Sequence, residues 1–326
     1  GLLRPLGDGD YPTRVTGARY NPDATSEVWD TFLARILPDP DVRAFVQRLI
    51  GYSLLGEVRE HKLPIFTGTG RNGKGTLRDA LCAALGNYAL EVDPELLMSQ
   101  HNARHGTFTL ELMGRRLVFC SETDKDRKFN ESAMKRLVGG DPLQGNRMRC
   151  DPITFLPSHT LIMCTNHLPR VSDDEAVWTR ILVVPFDVVI PEAEQDHRLP
   201  RRLQEQDVRD AILAWALEGY RQYAANGLQP PAAVQARTAE YRSDSDALGR
   251  FMAEMLVATP GGRLKPAEVY GAYLAWFRGE GGHEDPLSKR DLGAALAARG
   301  YPSVKVGGVM IYRGLALMAP TMDDQQ

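Results

Sequence analysis

The stretch "IFTGTGRNGKGTLRDAL", residues 65–81, decides how the rest of the chain is read. Its Gly68-x-x-x-x-Gly73-Lys74 spacing follows a short apolar run. It opens a stripe of Leu77, Ala80, Leu81, Ala84 and Leu85 at helical spacing, which Gly86 stops. A glycine-rich turn from strand into helix lets the backbone wrap phosphates, with successive N–H groups pointing inward at a positive helix end. Lys74 adds a point charge for the β- and γ-phosphates. Gly68, Thr69, Gly70, Arg71, Asn72, Gly73, Lys74, Gly75 and Thr76 are therefore the candidate nucleotide-binding residues, with ATP and Mg²⁺ as the expected ligands. One position is unusual. Gly75 stands where such loops normally carry the Ser or Thr hydroxyl that ligates Mg²⁺. Either Thr76 reaches the metal or water takes that place, and Thr76 is the preferred candidate.

Four short apolar runs, "LPIFTG", "RLVFCSE", "TLIMCTN" and "RILVVPF", are bounded by turns or polar residues and interleaved with helical stretches. That pattern suits buried strands of an α/β sheet. Before them, residues 27–55 are helical in pattern, with Val42, Phe45, Val46, Leu49 and Ile50 on one face. After them, residues 198–225 read as helix and "GLQPPAAV" as a boundary. Helices are then expected at 246–257, 266–277 and 288–299. "SVKVGGVMIYRG" is a hairpin signal around Gly307-Gly308. The expected layout is a helical segment over 1–60, an ATPase core over 61–190, and a helical segment and linker over 191–240. A winged-helix-like domain over 241–318 and a tail over 319–326 complete it.

Composition narrows the class. A chain of 326 residues has room for two or three domains, and 43% hydrophobic with 25% charged residues excludes a disordered or membrane-embedded class. No apolar run approaches membrane-spanning length and no signal pattern opens the chain, so no membrane partner is expected. A net charge of −3 excludes a uniformly basic coat but leaves local patches open. Cys82, Cys120, Cys150 and Cys164 lack CxxC pairing and read as buried reduced thiols. Gly1 at the first position suggests a piece of a longer chain.

Three further residues complete an ATPase set. "RRLVFCSETD" places Glu122 at the end of an apolar run, with Asp124 two residues on. A strand-end carboxylate can hold Mg²⁺ through water and orient the attacking water, and Glu122 is nearer the strand. "TLIMCTNHLP" places Asn166 at another strand end, where an amide can sense the γ-phosphate. "AVWTRILVVPF" places Arg180 just before a strand, where it can lie on the subunit surface and reach a neighbour's nucleotide. Between acid and amide, Gly139-Gly140 ends a helical stretch and a hairpin follows, its tip between Asn146 and Pro152. His101 and His105 share a helical spacing but have no third ligand partner in sequence. Trp29, Trp178, Trp215 and Trp276 read as packing residues.

"GTGRNGKGT", "LMGRRLVFCSETD", "MKRLVGGDPLQGNRMRCDPITFLPSHTLIMCTNHLP" and "DDEAVWTRI" together resemble the superfamily 3 helicases, and more narrowly the phage and plasmid primase–helicase family. The resemblance runs from about residue 25 to 318. It implies an AAA+-like P-loop ATPase core in a ring, a homo-hexamer, moving 3′→5′ on single-stranded DNA. Lys74, Glu122, Asn166 and Arg180 would be its catalytic residues, with Thr76, Glu122 and Asp124 at the metal. It further implies a channel hairpin gripping the DNA backbone through Arg147 and Arg149, with Met148 against sugars or bases. A winged helix would carry Lys289 and Arg290, binding duplex or origin DNA or, alternatively, a protein. A primase domain upstream and a cytoplasmic setting in a bacterial host, phage- or mobile-element-encoded, go with that family. The chain departs from the usual pattern at Gly75 and at Thr179, where a second Arg often precedes the finger. Two alternatives stay open: an AAA+ remodelling or loading ATPase, and a non-hydrolysing DNA- or origin-docking module. A small-molecule kinase fits the loop but neither the Asn–Arg pair nor the tail.

Overall fold

The computed structural model describes residues 4–5, 7–98, 105–121, 129–147, 149–172, 174–279 and 286–318. The chain divides into two compact units, Gly1–Ser245 and Asp246–Gln326.

In the first unit, helices α1 (Glu27–Ile36) and α2 (Pro40–Ser53) precede strand β1 (Leu63–Thr67). The chain continues through α3 (Lys74–Leu85), β2 (Ala89–Val92), α4 (His105–Glu111), β3 (Leu117–Ser121) and α5 (Glu131–Val138). A short antiparallel hairpin, β4 (Leu143–Gly145) and β5 (Ile153–Phe155), leads into β6 (Thr160–Thr165). Then come α6 (Glu175–Trp178), β7 (Ile181–Pro185), α7 (Leu199–Arg202), α8 (Gln206–Asn226) and α9 (Ala232–Ser245). Side-chain caps start several helices: Ser26 accepts from Trp29 N, Asp39 from Asp41 N, and Asn130 from Ala133 N.

Five strands form one parallel sheet in the order β2-β3-β6-β1-β7. Their side chains alternate between two cores, as strand periodicity demands. Phe66, Phe119, Ile162, Cys164 and Val184 join the core beneath α1, α2, α3 and α8. Ile65, Val118, Leu161, Met163 and Val183 join the opposite core, with Met134 and Leu137 of α5 and Tyr241 of α9. Both faces are covered, which is why the central strands read as unbroken apolar runs. Mixed α/β architecture with a central parallel sheet is thus established. The four apolar runs are β1, β3, β6 and β7. The edge strand β2 carries no such run: it is four residues long, with Glu91 exposed on it.

The second unit holds helices α10 (Ala247–Met255), α11 (Pro266–Gly279) and α12 (Lys289–Ala298). An antiparallel sheet of β8 (Leu256–Leu264), β9 (Ser303–Val306) and β10 (Val309–Leu317) packs with them, in the order β8-β10-β9. Phe251, Val269, Leu296 and Leu315 are buried in their core. The helix expected over 246–257 gives way to strand at Leu256. Leu256 and Val257 continue the apolar pattern of α10, while Pro260-Gly261-Gly262 reads as a turn although it lies within the strand. The ladder absorbs this with a register shift between Arg313 and Leu315.

Trp29 and Trp178 are buried; Trp215 and Trp276 are partly buried against a core. Of the thiols, Cys120 and Cys164 are buried in the sheet and Cys82 half-buried, but Cys150 is exposed in the β4–β5 turn, correcting the expectation that all four are buried. No described helix is long and apolar enough to cross a membrane.

Candidate nucleotide site

The loop between β1 and α3 takes its shape from what presses on it. Gly70, Arg71 and Gly73 have φ of +95°, +50° and +82°. At Gly68 a Cβ would stand 2.2 Å from the Phe186 carbonyl oxygen, and at Gly73 one would stand 2.5 Å from Ile36 Cγ2 in α1. Larger residues are excluded on both sides. Three hydrogen bonds tie the loop to the chain leaving β7. Phe186 N donates to Thr67 O (2.8 Å), Asn72 Nδ2 donates to Phe186 O (3.1 Å), and Ile190 N donates to Arg71 O (2.8 Å).

Lys74 opens α3 and is 7% exposed. Its ammonium donates to Gly68 O, Asn72 Oδ1 and Asn166 Oδ1, each at 3.1 Å. Two candidates far apart in sequence, Lys74 and Asn166, are therefore in contact. The sheet order explains it: β6 lies between β1 and β3, so the residue leaving β6 emerges beside the loop. The buried Thr165 hydroxyl donates to His167 O (2.7 Å) and accepts from His167 N (3.1 Å), fixing the turn that presents Asn166.

Glu122 and Asp124 lie outside the described residues, which stop at Ser121, the last residue of β3. Ser121 Oγ accepts from Arg78 Nη1 (2.9 Å), which also donates to Glu91 Oε1 (2.6 Å). Arg78 lies one turn after Gly75 on the same face of α3, so that face looks toward the end of β3. Gly75 is exposed, and a Cβ added there would meet nothing within 4 Å among the described residues. Thr76 lies on a different face. It lines a cavity of about 680 Å³ between α1 and residues 190–202, with Phe32, Arg71, Gly73 and Ile190. Sequence patterns gave no sign of this cavity, because its walls are some 160 residues apart.

The fit for a triphosphate rests on the loop's backbone and the Lys74–Asn166 convergence. For Mg²⁺ the described residues offer no group of three His, Cys, Asp or Glu side chains. Such a cage is not required, since nucleotide-borne Mg²⁺ keeps several waters and takes one or two carboxylates plus phosphate oxygens. Thr76, Glu122 and Asp124 remain the residues expected to complete that shell.

Arg180 is at the other end of the sheet. It directly precedes β7, and its carbonyl accepts from Leu63 N (2.7 Å) at the start of β1. The five residues of β1 separate it from the chain's own loop, about 16 Å along the strand. Arg180 Nη1 donates to Ala176 O, while its buried Nε has no hydrogen-bond partner among the described residues. Lys62 Nζ donates to Thr179 O (2.6 Å), and Lys135 pairs with Asp174, the N-cap of α6. The Lys135 ammonium, helped by Ala176 N and by the Arg180 charge, lowers the Asp174 carboxyl below its ordinary range.

Arg147 and Arg149 are exposed in the β4–β5 turn, where Arg149 has φ of +62°; Met148 lies outside the described residues. Lys289 and Arg290 are exposed in the first turn of α12, which Ser288 caps by accepting from Asp291 N (3.2 Å). Arg299, at the far end of that helix, pairs with Asp246 at 2.7 Å and so serves the fold of the second unit. His101 is outside the described residues.

A family model described as "Family of unknown function (DUF5906)" matches residues 66–180. "Putative helicase L207/L206" of Acanthamoeba polyphaga mimivirus is 25% identical over 303 residues, covering 85% of this chain and 32% of the relative. "Putative helicase 022R" of Frog virus 3 is 26% identical over 279 residues, covering 77% and 28%. An African swine fever virus protein named "Putative primase" is 22% identical over 290 residues, covering 81% and 30%. The chain thus spans about a third of the length of these relatives. Among solved structures, the apo C-terminal region of NrS-1 shares the fold. Its TM-score is 0.54 at 14% identity, over 91% of this chain and 76% of that one. These matches bear out the resemblance carried by the motifs: the chain is similar to viral proteins named putative helicase and putative primase, and it shares its fold with the NrS-1 C-terminal region.

Proposed function

We propose that this chain is the ATP-hydrolysing motor of a DNA helicase acting in replication, working as a ring of identical subunits, a hexamer in the family it resembles. The observation that carries the reading is the meeting of Lys74 with Asn166 at one edge of the sheet while Arg180 stands at the other. A lysine and an amide on the γ-phosphate side make half of a phosphoryl-transfer site. The arginine is too far along the sheet to serve the same loop and is suited to a neighbour's.

In this reading Lys74 and the loop N–H groups hold the triphosphate, Glu122 orients the attacking water, and Asn166 senses the γ-phosphate. Arg180 of the adjacent subunit stabilises charge as the terminal phosphate departs. Thr76, Glu122 and Asp124 would hold Mg²⁺, which would supply charge neutralisation on the phosphates. Arg147, Met148 and Arg149 face the single strand in the channel, giving sequence-independent, salt-sensitive contacts. The helices and three-stranded sheet of the second unit follow a winged-helix outline, and Lys289 and Arg290 are its candidate duplex contacts. A primase domain elsewhere in a longer chain fits the relatives named primase.

Hydrolysis measured with and without single-stranded DNA tests this: turnover rises with DNA and is abolished in Lys74→Ala. Gly75 favours a second reading, a DNA- or origin-docking module that binds ATP without cleaving it. Wild-type protein that binds ATP and Mg²⁺ but shows no turnover with any DNA would decide for it. Turnover without strand displacement would favour a remodelling or loading ATPase.

A further inference from the structure

We infer that Lys135 is a positioning residue for Arg180: it fixes the turn from which that guanidinium reaches the neighbouring subunit's nucleotide. The inference rests on the finger role proposed for Arg180 and adds the residue that places it.

Arg180 follows α6, a helix of four residues, too short to hold its own conformation. One carboxylate holds it. Asp174 Oδ1 accepts from Ala176 N (2.8 Å), and Asp174 Oδ2 accepts from the Lys135 ammonium. Ala176 O in turn accepts from Arg180 Nη1. Lys135, Asp174, Ala176 and Arg180 are thus joined, bond by bond, from α5 to the guanidinium.

The start of that path is firmly set. Ala133, Met134, Leu137 and Val138 bury one side of α5 in the core, and Asn130 caps its first turn. Glu131, four residues before Lys135 and on the same face, ties down the segment before α6 a second time. Its Oε1 accepts from Ser172 N (2.8 Å), and Ser172 O accepts from Trp178 Nε1 (2.8 Å) at the end of α6. From α9, Arg242 pairs with Glu175 and stands 6.0 Å from the centre of the Trp178 ring.

The Lys135 and Asp174 side chains are 32% and 41% exposed, so their pairing adds little to the stability of the fold. Its consequence is placement. A bond to the second oxygen keeps the carboxylate from rotating away from Ala176 N, and a finger acts only where it meets the departing phosphate.

Steady-state turnover of the whole chain, measured without DNA, tests the assignment. Lys135→Met removes the charge while keeping a long side chain in a good helix former. It is expected to lower kcat ~10-fold with the KM for ATP unchanged, short of the loss from removing the guanidinium itself. Lys135→Arg restores kcat, because it offers a cation to the same oxygen. Asp174→Asn keeps an oxygen for Ala176 N and loses the charge; combined with Lys135→Met, it lowers kcat no further than either change alone.

An equimolar mixture of Lys135→Met with Lys74→Ala separates positioning from damage. Lys74→Ala subunits donate an intact finger, so turnover rises from roughly a tenth to roughly a quarter of wild type. A defect in the variant's own nucleotide site would instead leave the mixture at about half the rate of Lys135→Met alone. That result, wild-type kcat in Lys135→Met, or a loss seen only when DNA is added overturns the assignment. If a mixture of Arg180→Ala with Lys74→Ala recovers while this one does not, Lys135 alone is misassigned; if neither recovers, the finger reading falls with it.

Discussion

The two edges of the central sheet are held by different physics. At the edge where the strands end, the loop is shaped by steric exclusion at Gly68 and Gly73 and by bonds to neutral partners, including the Asn72 and Asn166 amides around Lys74. At the edge where the strands begin, charged groups dominate: Lys62, Lys135 with Asp174, and Arg242 with Glu175 surround the segment carrying Arg180. The first edge is shaped in advance for a ligand. The second holds a guanidinium whose buried Nε lacks a partner within the described residues, a costly state in isolation. In the proposed reading one chain carries two halves of a phosphoryl-transfer site at opposite ends of the sheet, and the contrast predicts that a second copy joins them.

The largest effect should come from breaking one half at a time. Arg180→Ala is expected to lower kcat by ~10³-fold, the scale of an arginine finger, with ATP affinity nearly unchanged. Lys74→Ala is expected to lose ATP binding. An equimolar mixture then recovers roughly a quarter of wild-type turnover, since one random head-to-tail interface in about four pairs an intact lysine with an intact arginine. Wild-type kcat in Arg180→Ala would remove the arginine from the reaction, a mixture as inactive as its parts would rule out sharing between subunits, and either would end the comparison.

The edges should also differ in their response to pH. His159 precedes β6 at the starting edge, is 4% exposed, and lies near the Leu137 backbone, with neither ring nitrogen in a well-formed hydrogen bond among the described residues. Burial disfavours its charged form and lowers its pKa to about 4, and the nearby Leu137 carbonyl offsets little of that. The unfolded chain takes up a proton near pH 6.5 that the folded chain refuses until about 4. Stability is therefore fully present above 6.5 and falls as pH drops, by about 3 kcal/mol in all. Denaturant midpoints measured from pH 7 to 4 should show this slope in wild type and a flatter one in His159→Leu.

A smaller effect is expected at the β4–β5 turn. Replacing Arg147 and Arg149 together by Ala should weaken single-stranded DNA binding ~10-fold and reduce the log–log salt slope by about 0.7 per cation removed. An unchanged slope would show that the turn does not touch phosphate.

What the sequence disclosed follows from how local each signal is. The loop, its helix and four strands were legible because Gly68, Gly73 and Lys74 lie within seven residues and the central strands are apolar on both faces. Asn166 and Arg180 were legible as strand-edge residues, but their placement at opposite ends of the sheet was not. That depends on β6 and β7 both running parallel to β1, so that the residue after one strand and the residue before the other fall at opposite ends. Three features left no local mark. β2 is a four-residue edge strand whose apolar run Glu91 interrupts, β8 hides behind Pro260-Gly261-Gly262, and the cavity beside Thr76 joins segments distant in sequence. Arg78 was passed over because its partners Glu91 and Ser121 come from two other strands.

The smallest predicted effect bears on the one irregular residue of the loop. Gly75 meets no described residue on the side of α3 that looks toward β3, whereas Thr76 faces the cavity. If the missing hydroxyl is what limits the metal, Gly75→Ser restores it without a clash and lowers the Mg²⁺ concentration for half-maximal turnover about threefold. Thr76→Val separates the alternatives. A raised Mg²⁺ requirement makes Thr76 the metal's hydroxyl, reaching around the helix. A weakened ATP affinity at an unchanged Mg²⁺ requirement makes it a wall of a nucleoside seat in that cavity, leaving water in the place that Gly75 vacates. The two faces of one helical turn would then divide the labour, metal on one side and nucleoside on the other, within an edge otherwise fixed by glycine sterics.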